Sequence, residues 1–348
     1  MDVPLWAWIA TVGLIVVMLA VDFVGHVRKA HAPSLKEAGL WSAGYVLIAL
    51  LFGVFVLLEW GSDYGLQYFS GYITEKSLSV DNLFVFVLIM ASFRVPRKYQ
   101  QKVLLIGIVI ALVLRTLFIV AGAAIVNQFA WIFYIFGAFL IYTAITQLKK
   151  TDDDEEFKEN AVLRLVRRIF PTTEGYVEDK MFTRAAGRMH VTPMFIVILA
   201  IGSADILFAV DSIPAIFGLT QEVFLIFAAN AFSLLGLRQL YFLIDGLLDR
   251  LVYLNYGLAA ILAFIGAKLV IHALHENDVW FINSGEEWHV IPEVGTYVSL
   301  IVIVGILTIT TVTSLLAGRR SHQVDPAALP PTQEDDDERR DSLGDLYR

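Results

Sequence analysis

Two short stretches carry carboxylates where the surrounding sequence is apolar. Glu75 and Asp81 lie in Glu75-Lys76-Ser77-Leu78-Ser79-Val80-Asp81-Asn82, between Ile73 and the run from Leu83 to Phe93. Asp205 and Asp211 lie in Ser203-Ala204-Asp205-Ile206-Leu207-Phe208-Ala209-Val210-Asp211-Ser212-Ile213-Pro214-Ala215. A charge at bilayer depth costs at least ~2.5 to 3.5 kcal/mol, so intramembrane acids face a polar interior and mark an ion or proton path. Four close acids would repel one another if all were ionised, and a divalent cation or bound protons would relieve that repulsion. Oxygen ligands from these acids, Asn82 and Ser212, in a sequence without cysteine, suit hard cations such as Mg²⁺, Ca²⁺ or Mn²⁺. The competing reading is that the acids form buried ion pairs with Arg115, Arg238 and Lys76, which are too few for every acid but could hold some in place.

Such acids need long apolar elements to carry them. The 348 residues are 57% apolar and 17% charged, with a mean hydropathy of +0.67, which excludes an ordinary soluble domain and points to an all-α polytopic membrane protein. The absence of cysteine excludes a disulfide framework and thiolate metal sites. Met1 to Leu5 lacks the positive n-region of a signal peptide, so the first apolar run is expected to remain as a span. Runs of roughly 20 residues, enough to cross a ~30 Å hydrocarbon layer, occur nine times, near 6–26, 40–60, 71–93, 103–126, 129–148, 194–217, 222–243, 254–274 and 297–317. Short cytoplasmic loops should be rich in Lys and Arg. With the N-terminus outside, 22 of the 26 basic residues fall in inner segments and none in outer ones; Lys76, Arg115, Arg238 and Lys268 lie within spans. The N-terminus is therefore expected outside and the C-terminus inside.

In both stretches the two acids are six residues apart, which suggests an internal repeat. A shift of 130 pairs Glu75 with Asp205, Asp81 with Asp211 and Asn82 with Ser212; a shift of 124 pairs Ser79 with Ser203, Asp81 with Asp205 and Phe84 with Phe208. Both registers stay open. In either, the two helices are three spans apart and cross the membrane in opposite directions, the arrangement of inverted-repeat transporters. At ~1.5 Å per residue, Glu75 and Asp211 are expected ~6 to 9 Å below the outer surface, with Asp81 and Asp205 near the middle. A six-residue step turns an ideal helix by about 120°, so for both levels to face one cavity a local break is expected, with Gly202 and Pro214 supplying it in the sixth span. Asp22, in the first span, is read as either a pathway group or an inner-interface residue.

The motifs Glu75-x5-Asp81-Asn82-x-Phe84-Val85-Phe86 and Asp205-x2-Phe208-Ala209-x-Asp211-Ser212-x-Pro214-Ala215 closely resemble the paired motifs of the TerC (tellurium-resistance C) integral membrane proteins. The resemblance covers roughly residues 5 to 317. It implies Mn²⁺ efflux, tellurite resistance as the historical name, and inverted three-helix repeats of the lysine-exporter superfamily. By resemblance, Glu75, Asp81, Asp205 and Asp211 are cation ligands, with Asn82 and Ser212 beside them; Asp22 resembles an acid in the family's first span.

The organisation expected is spans one to five over 1–148, a cytoplasmic loop over 149–193, spans six to nine over 194–317 and an acidic, disordered cytoplasmic tail over 318–348. The loop opens with Asp152 to Glu156 and continues from Phe157 to Phe170 with apolar residues at helical spacing and basic neighbours, a helix on the inner membrane surface. The glycines and alanines of spans four and five read as close-packing residues. The resulting expectation is a secondary transporter in the cell inner (plasma) membrane that exports a hard divalent cation. No P-loop is present, so an ion gradient or the membrane potential would drive it. Its partners are the lipid bilayer, the metal ion, H⁺ as counter-ion and a cytoplasmic or membrane protein, with no nucleic acid, no resident cofactor and no enzymatic activity. A second reading is a non-transporting membrane subunit that senses metal or envelope stress. A third, an intramembrane aspartyl hydrolase, is disfavoured because no Gly-x-Gly-Asp occurs.

Overall fold

Inside a bilayer every backbone N–H and C=O must be satisfied within the chain, so apolar runs of this length fold as helices. The computed structural model describes residues 1–27, 34–126, 128–129, 131–149, 172–173, 175–177, 180–185, 188–244, 253–275, 288, 292 and 294–321, with the side chains of His26, Val27, Asp81, Phe84, Lys149, Ala185, Arg188, Asp211, Ile244 and 318–321 outside that description. Within it, α1 (Leu5–Asp22) runs into a π-helical turn at Phe23–Val27 and is followed by α2 (Leu35–Trp60), α3 (Ser62–Ser92), α4 (Arg97–Val126) and α5 (Ile132–Lys149). A short antiparallel hairpin, β1 (Phe182–Ala185) and β2 (Arg188–Val191), leads to α6 (Pro193–Phe217), α7 (Val223–Leu235), α8 (Leu237–Ile244), α9 (Leu254–His275) and α10 (Thr296–Ser321). Seven stretches among the described residues are helical, long and apolar enough to cross a membrane: Leu5–Gly25, Leu35–Trp60, Arg97–Val126, Pro193–Phe217, Val223–Leu243, Leu254–His275 and Thr296–Ala317. The other two expected spans are helices as well. α3 is long but carries Asp63, Glu75, Lys76 and Asp81; α5 is apolar but shorter.

Three sequence expectations are corrected. The helix that carries the third expected span begins at Ser62, ahead of the expected start near 71, because Gly61, at φ +101°, a conformation that favours glycine, turns the chain directly from α2 into α3. At 31 residues α3 is ~46 Å long, and Glu75 lies near its centre instead of near an end. The sixth span has no break at Gly202: α6 is continuous for 25 residues with Pro214 in its last turn, and Pro193 starts it at a first-turn position where the missing N–H costs nothing. The seventh span is the one that breaks, at Gly236 between α7 and α8. The hairpin β1–β2 was not foreseen in an all-α reading. The surface helix expected from Phe157 to Phe170, an interfacial element from Asp245 to Leu251, most of the acidic outer loop and the tail beyond Ser321 lie outside the described residues.

The helices pack as α5 on α9, α3 on α7 and α4 on α6, with α3 also touching α6 and α4 touching α7. Close approach of α5 and α9 depends on Gly137 and Gly266, each of whose missing Cβ would fall within 3 Å of the other's carbonyl oxygen. The apolar interior falls into two clusters. One joins Tyr68, Tyr72 and Leu78 of α3 to the C-terminal halves of α4 and α6; the other joins Leu83 to Met90 of α3 to the N-terminal halves of α4 and α6. α3 therefore runs opposite to α4 and α6. The seam between the clusters passes Arg115 on α4 and Asp205 on α6, and a polar layer crosses the molecule there.

Candidate ion site

That layer is built on one guanidinium. Arg115 is fully buried, and its Nε and one terminal nitrogen donate to the two carboxylate oxygens of Asp205 at 3.2 and 3.0 Å. Its other terminal nitrogen donates to Glu75 Oε2 at 2.9 Å. Asp205 is the 13th of 25 residues in α6, so both acids sit near the middle of their helices and at one level. The expected layering, with Glu75 opposite Asp211 and Asp81 opposite Asp205, is therefore replaced by a Glu75–Arg115–Asp205 triad. Its cause is the earlier start of α3. Fork-on-carboxylate geometry gives such bonds strength and direction, and both carboxylates are only 1% exposed.

Neutral side chains complete the layer. Asn230 of α7 donates to Glu75 Oε2 at 3.0 Å. The amide of Asn82, oriented to suit its neighbours, donates to the Leu78 carbonyl and accepts from Arg115, both at 3.1 Å. One turn further along, Ser79 and Ser233 share a hydroxyl–hydroxyl bond of 3.0 Å. Lys76, expected beside the acids, donates to the Ser233 carbonyl at 3.1 Å; its Nζ fills the space left by Gly236 at the α7–α8 break. Among the described residues several buried acceptors have no hydrogen-bond partner, including Glu75 Oε1, Asn230 Oδ1 and Ser212 Oγ. Such groups are costly to leave unmatched, and lone pairs gathered this way suit a donor or a hard cation.

Asn82 and Ser212 also line a cavity of about 280 Å³, closed by Leu78, Phe208 and the α5 residues Thr143, Thr146 and Gln147. Polar residues thus line this space from three helices. Of the seven residues expected at the site, the structure brings Glu75 and Asp205 together and sets Asn82 and Ser212 on the adjoining cavity. The side chains of Asp81 and Asp211 lie outside the described residues. Among the described residues no three His, Asp or Glu side chains converge as a metal cluster.

Asp22 belongs to a second, separate cluster. Its Oδ1 accepts from Tyr45 and from Arg238, each at 2.6 Å, and Arg238 also reaches Gln101 Oε1 at 3.4 Å. The π-helical turn begins one residue after Asp22, and one wider turn in an α-helix re-aims the residues beside it. The ion-pair reading therefore holds for Glu75 and Asp205 with Arg115, whereas Arg238, expected beside those acids, pairs with Asp22.

Sequence reading missed Asn230, Thr143, Thr146 and Gln147. Asn230 had a signal, as a lone amide in the apolar run Phe224 to Leu235, every residue of which is buried. The α5 residues had none, since threonines and a glutamine near a helix end read as interfacial.

Residues 60–322 match the family described as integral membrane protein TerC. The chain is 51% identical over 316 residues to an uncharacterized membrane protein of Mycobacterium tuberculosis, covering 90% of this chain and 79% of that protein. It is 40% identical over 321 residues to an uncharacterized membrane protein of Myxococcus xanthus, covering 92% and 95%. It is 37% identical over 317 residues to a Salmonella typhi protein named "Putative membrane-bound redox modulator Alx", covering 88% and 92%. No solved structure matches the chain. The chain is a multi-span integral membrane protein and belongs to the TerC family.

Proposed function

We propose that the protein is a secondary transporter that exports a hard divalent cation, Mn²⁺ foremost, across the cell inner membrane. The observation that carries this is the meeting of Glu75 and Asp205, on oppositely directed helices, at one buried layer beside a cavity that Asn82 and Ser212 help line. Charge buried at such cost in a membrane interior is the mark of an ion path, and a donor set of carboxylate, amide and hydroxyl oxygens favours Mn²⁺, Mg²⁺ or Ca²⁺ over softer metals. The cation is cargo, bound by Glu75 and Asp205 with Asn82 and Ser212 alongside. The family resemblance favours Mn²⁺ among these ions.

An inverted repeat is part of this reading, and the pattern of helix contacts supports it. Exchanging α3, α4 and α5 with α6, α7 and α9 maps the helix contacts onto themselves: α3 on α7 becomes α6 on α4, while α3–α6, α4–α7 and α5–α9 each map to itself. Glu75 with Asn230 becomes Asp205 with Arg115, and Leu78 and Asn82 become Phe208 and Ser212 on the same cavity. Glu75 with Asp205, Leu78 with Phe208 and Asn82 with Ser212 each follow a shift of 130, whereas Arg115 and Asn230 are 115 residues apart. A shift of 124 would set Glu75 against Leu199 and Asn82 against Ile206. Binding between repeats near the midplane is where such transporters hold their cargo. The basic inner segments favour an outside N-terminus and inside C-terminus.

Flux in liposomes tests the proposal, with a panel of divalent ions and with and without a pH gradient. Mn²⁺ should move, and Asp81→Asn, Asp205→Asn and Glu75→Gln should each lower its rate. Wild-type rates in all three variants would remove the ligand assignment. A pH gradient that accelerates the flux would identify H⁺ as the counter-ion. The redox name of the Salmonella relative favours a second reading, a subunit acting through a cytoplasmic or membrane partner. With no cysteine in this sequence, such a role would not run on its own thiols, and purified protein would then move no divalent ion.

A further inference from the structure

We infer that Arg115 is a tethered counter-ion that competes with the transported cation for Glu75 and Asp205. This rests on the cation-transport reading and says how the site exists without its cargo. A divalent ion bridging the two carboxylates would use the oxygens on which the guanidinium now donates, Glu75 Oε2 and both oxygens of Asp205. Among the described groups the triad holds two negative charges and one positive. Adding a divalent ion while Arg115 stayed in place would set two cations a few ångströms apart in a buried layer, where Coulomb repulsion is weakly screened. Metal binding therefore requires Arg115 to withdraw from at least one carboxylate.

The structure offers both a start for the exchange and a place for the guanidinium to hold on. Among the described residues Glu75 Oε1 and Asn230 Oδ1 are buried acceptors without partners, on two side chains already joined through Glu75 Oε2, so a cation can meet free lone pairs before any Arg115 bond breaks. Asn82 accepts from the terminal nitrogen of Arg115 that also serves Asp205, so a guanidinium leaving Asp205 keeps one acceptor. Asn82 in turn lines the cavity it shares with Ser212. In the metal-free protein the same guanidinium compensates both acids, sparing them the cost of unpaired buried charge. Arg115 is a positioning residue that sets affinity by competition.

The test uses the full chain in detergent with Mn²⁺ alone as the probe, comparing wild type, Arg115→Gln and Arg115→Lys by calorimetry and by metal-dependent shifts in melting temperature. Arg115→Gln should bind Mn²⁺ at least roughly tenfold more tightly, since it lacks a competitor making three charge-assisted bonds. Its melting temperature should start lower and rise further with Mn²⁺ than that of wild type. Arg115→Lys, which keeps the charge, should return affinity toward wild type. If Arg115→Gln cannot be recovered folded without metal, recovery in Mn²⁺ but not in Na⁺ supports competition, and recovery in neither counts against it. Wild type that moves Mn²⁺ alongside an Arg115→Gln variant of equal or weaker affinity and no larger thermal shift overturns this inference alone. Wild type that neither binds nor moves a divalent ion overturns the transport reading as well.

Discussion

Asp22 of α1 and Arg238 of α8 are joined by a 2.6 Å ion pair with both side chains buried. Tyr45 donates to the same carboxylate oxygen, so three helices meet at Asp22 and one of them lies just beyond the Gly236 break. Removing one partner of such a pair leaves the other charge stranded. Asp22→Asn should therefore destabilise the protein by about 3 to 5 kcal/mol, read from unfolding in detergent. Because Asp22 is bound by groups outside the Glu75–Arg115–Asp205 triad, Mn²⁺ affinity of the folded fraction should stay at the wild-type value. A large loss of affinity with intact stability would restore Asp22 as a ligand.

Asn230 ties α7 to the acid of α3 through one 3.0 Å bond. Asn230→Ala removes a donor from a buried carboxylate, for which a cost of about 1 to 3 kcal/mol is expected. Glu75 would then depend on Arg115 alone among its described partners. Mn²⁺ flux in liposomes should fall along with thermal stability, whereas loss of stability without loss of flux would confine Asn230 to packing.

Ser212 separates stability from function most cleanly. Its hydroxyl is buried without a hydrogen-bond partner among the described residues, so Ser212→Ala should leave stability unchanged or raise it by on the order of 1 kcal/mol. Ser212 also lines the cavity shared with Asn82, and loss of its hydroxyl should slow Mn²⁺ flux. Parallel melting and flux measurements would register the two opposite signs.

Glu75 and Asp205 were legible because a carboxylate in an apolar run has few physical excuses, and the helices were legible because a bilayer allows little else. The depth of Glu75 was not. Ser62 to Tyr72 is polar enough to read as a loop, yet it extends α3 and moves Glu75 to the middle of its helix. Nor was the choice of cation. Arg115 is 40 residues from Glu75 and 90 from Asp205, and nothing local distinguishes it from Lys76, which sits beside Glu75 in sequence but turns to a carbonyl of α7. Helix pairing decides such matches, and pairing depends on contacts like Gly137 with Gly266 that spacing does not reveal.

That glycine pair gives a test of how α5 reaches the site. A Cβ on Gly266 would lie 2.9 Å from the Gly137 carbonyl oxygen and 2.9 Å from Ile141 Cγ1, so Gly266→Ala should force α5 and α9 apart. Overpacking of this kind costs about 1 to 3 kcal/mol, measurable by thermal unfolding. α5 also carries Thr143, Thr146 and Gln147 into the cavity, so flux should fall although no cavity residue has changed. Unchanged flux in a destabilised variant would separate α5 from the path.

Arg115 makes a last prediction about the cycle itself. A transporter exporting metal must return with its site empty, and in that state the guanidinium compensates Glu75 and Asp205. Arg115→Gln would send the empty site back with two buried carboxylates and no counter-ion, at a cost of several kcal/mol unless protons or another cation fill in. The metal-loaded state, already compensated by the divalent ion, bears no such burden. Net Mn²⁺ efflux from vesicles should therefore fall steeply in this variant, while exchange of labelled for unlabelled Mn²⁺ across the membrane continues, since exchange never passes through the empty state. A variant that loses both to the same degree would show that Arg115 shapes the loaded site. One that keeps net efflux would show that the empty site finds its compensation elsewhere.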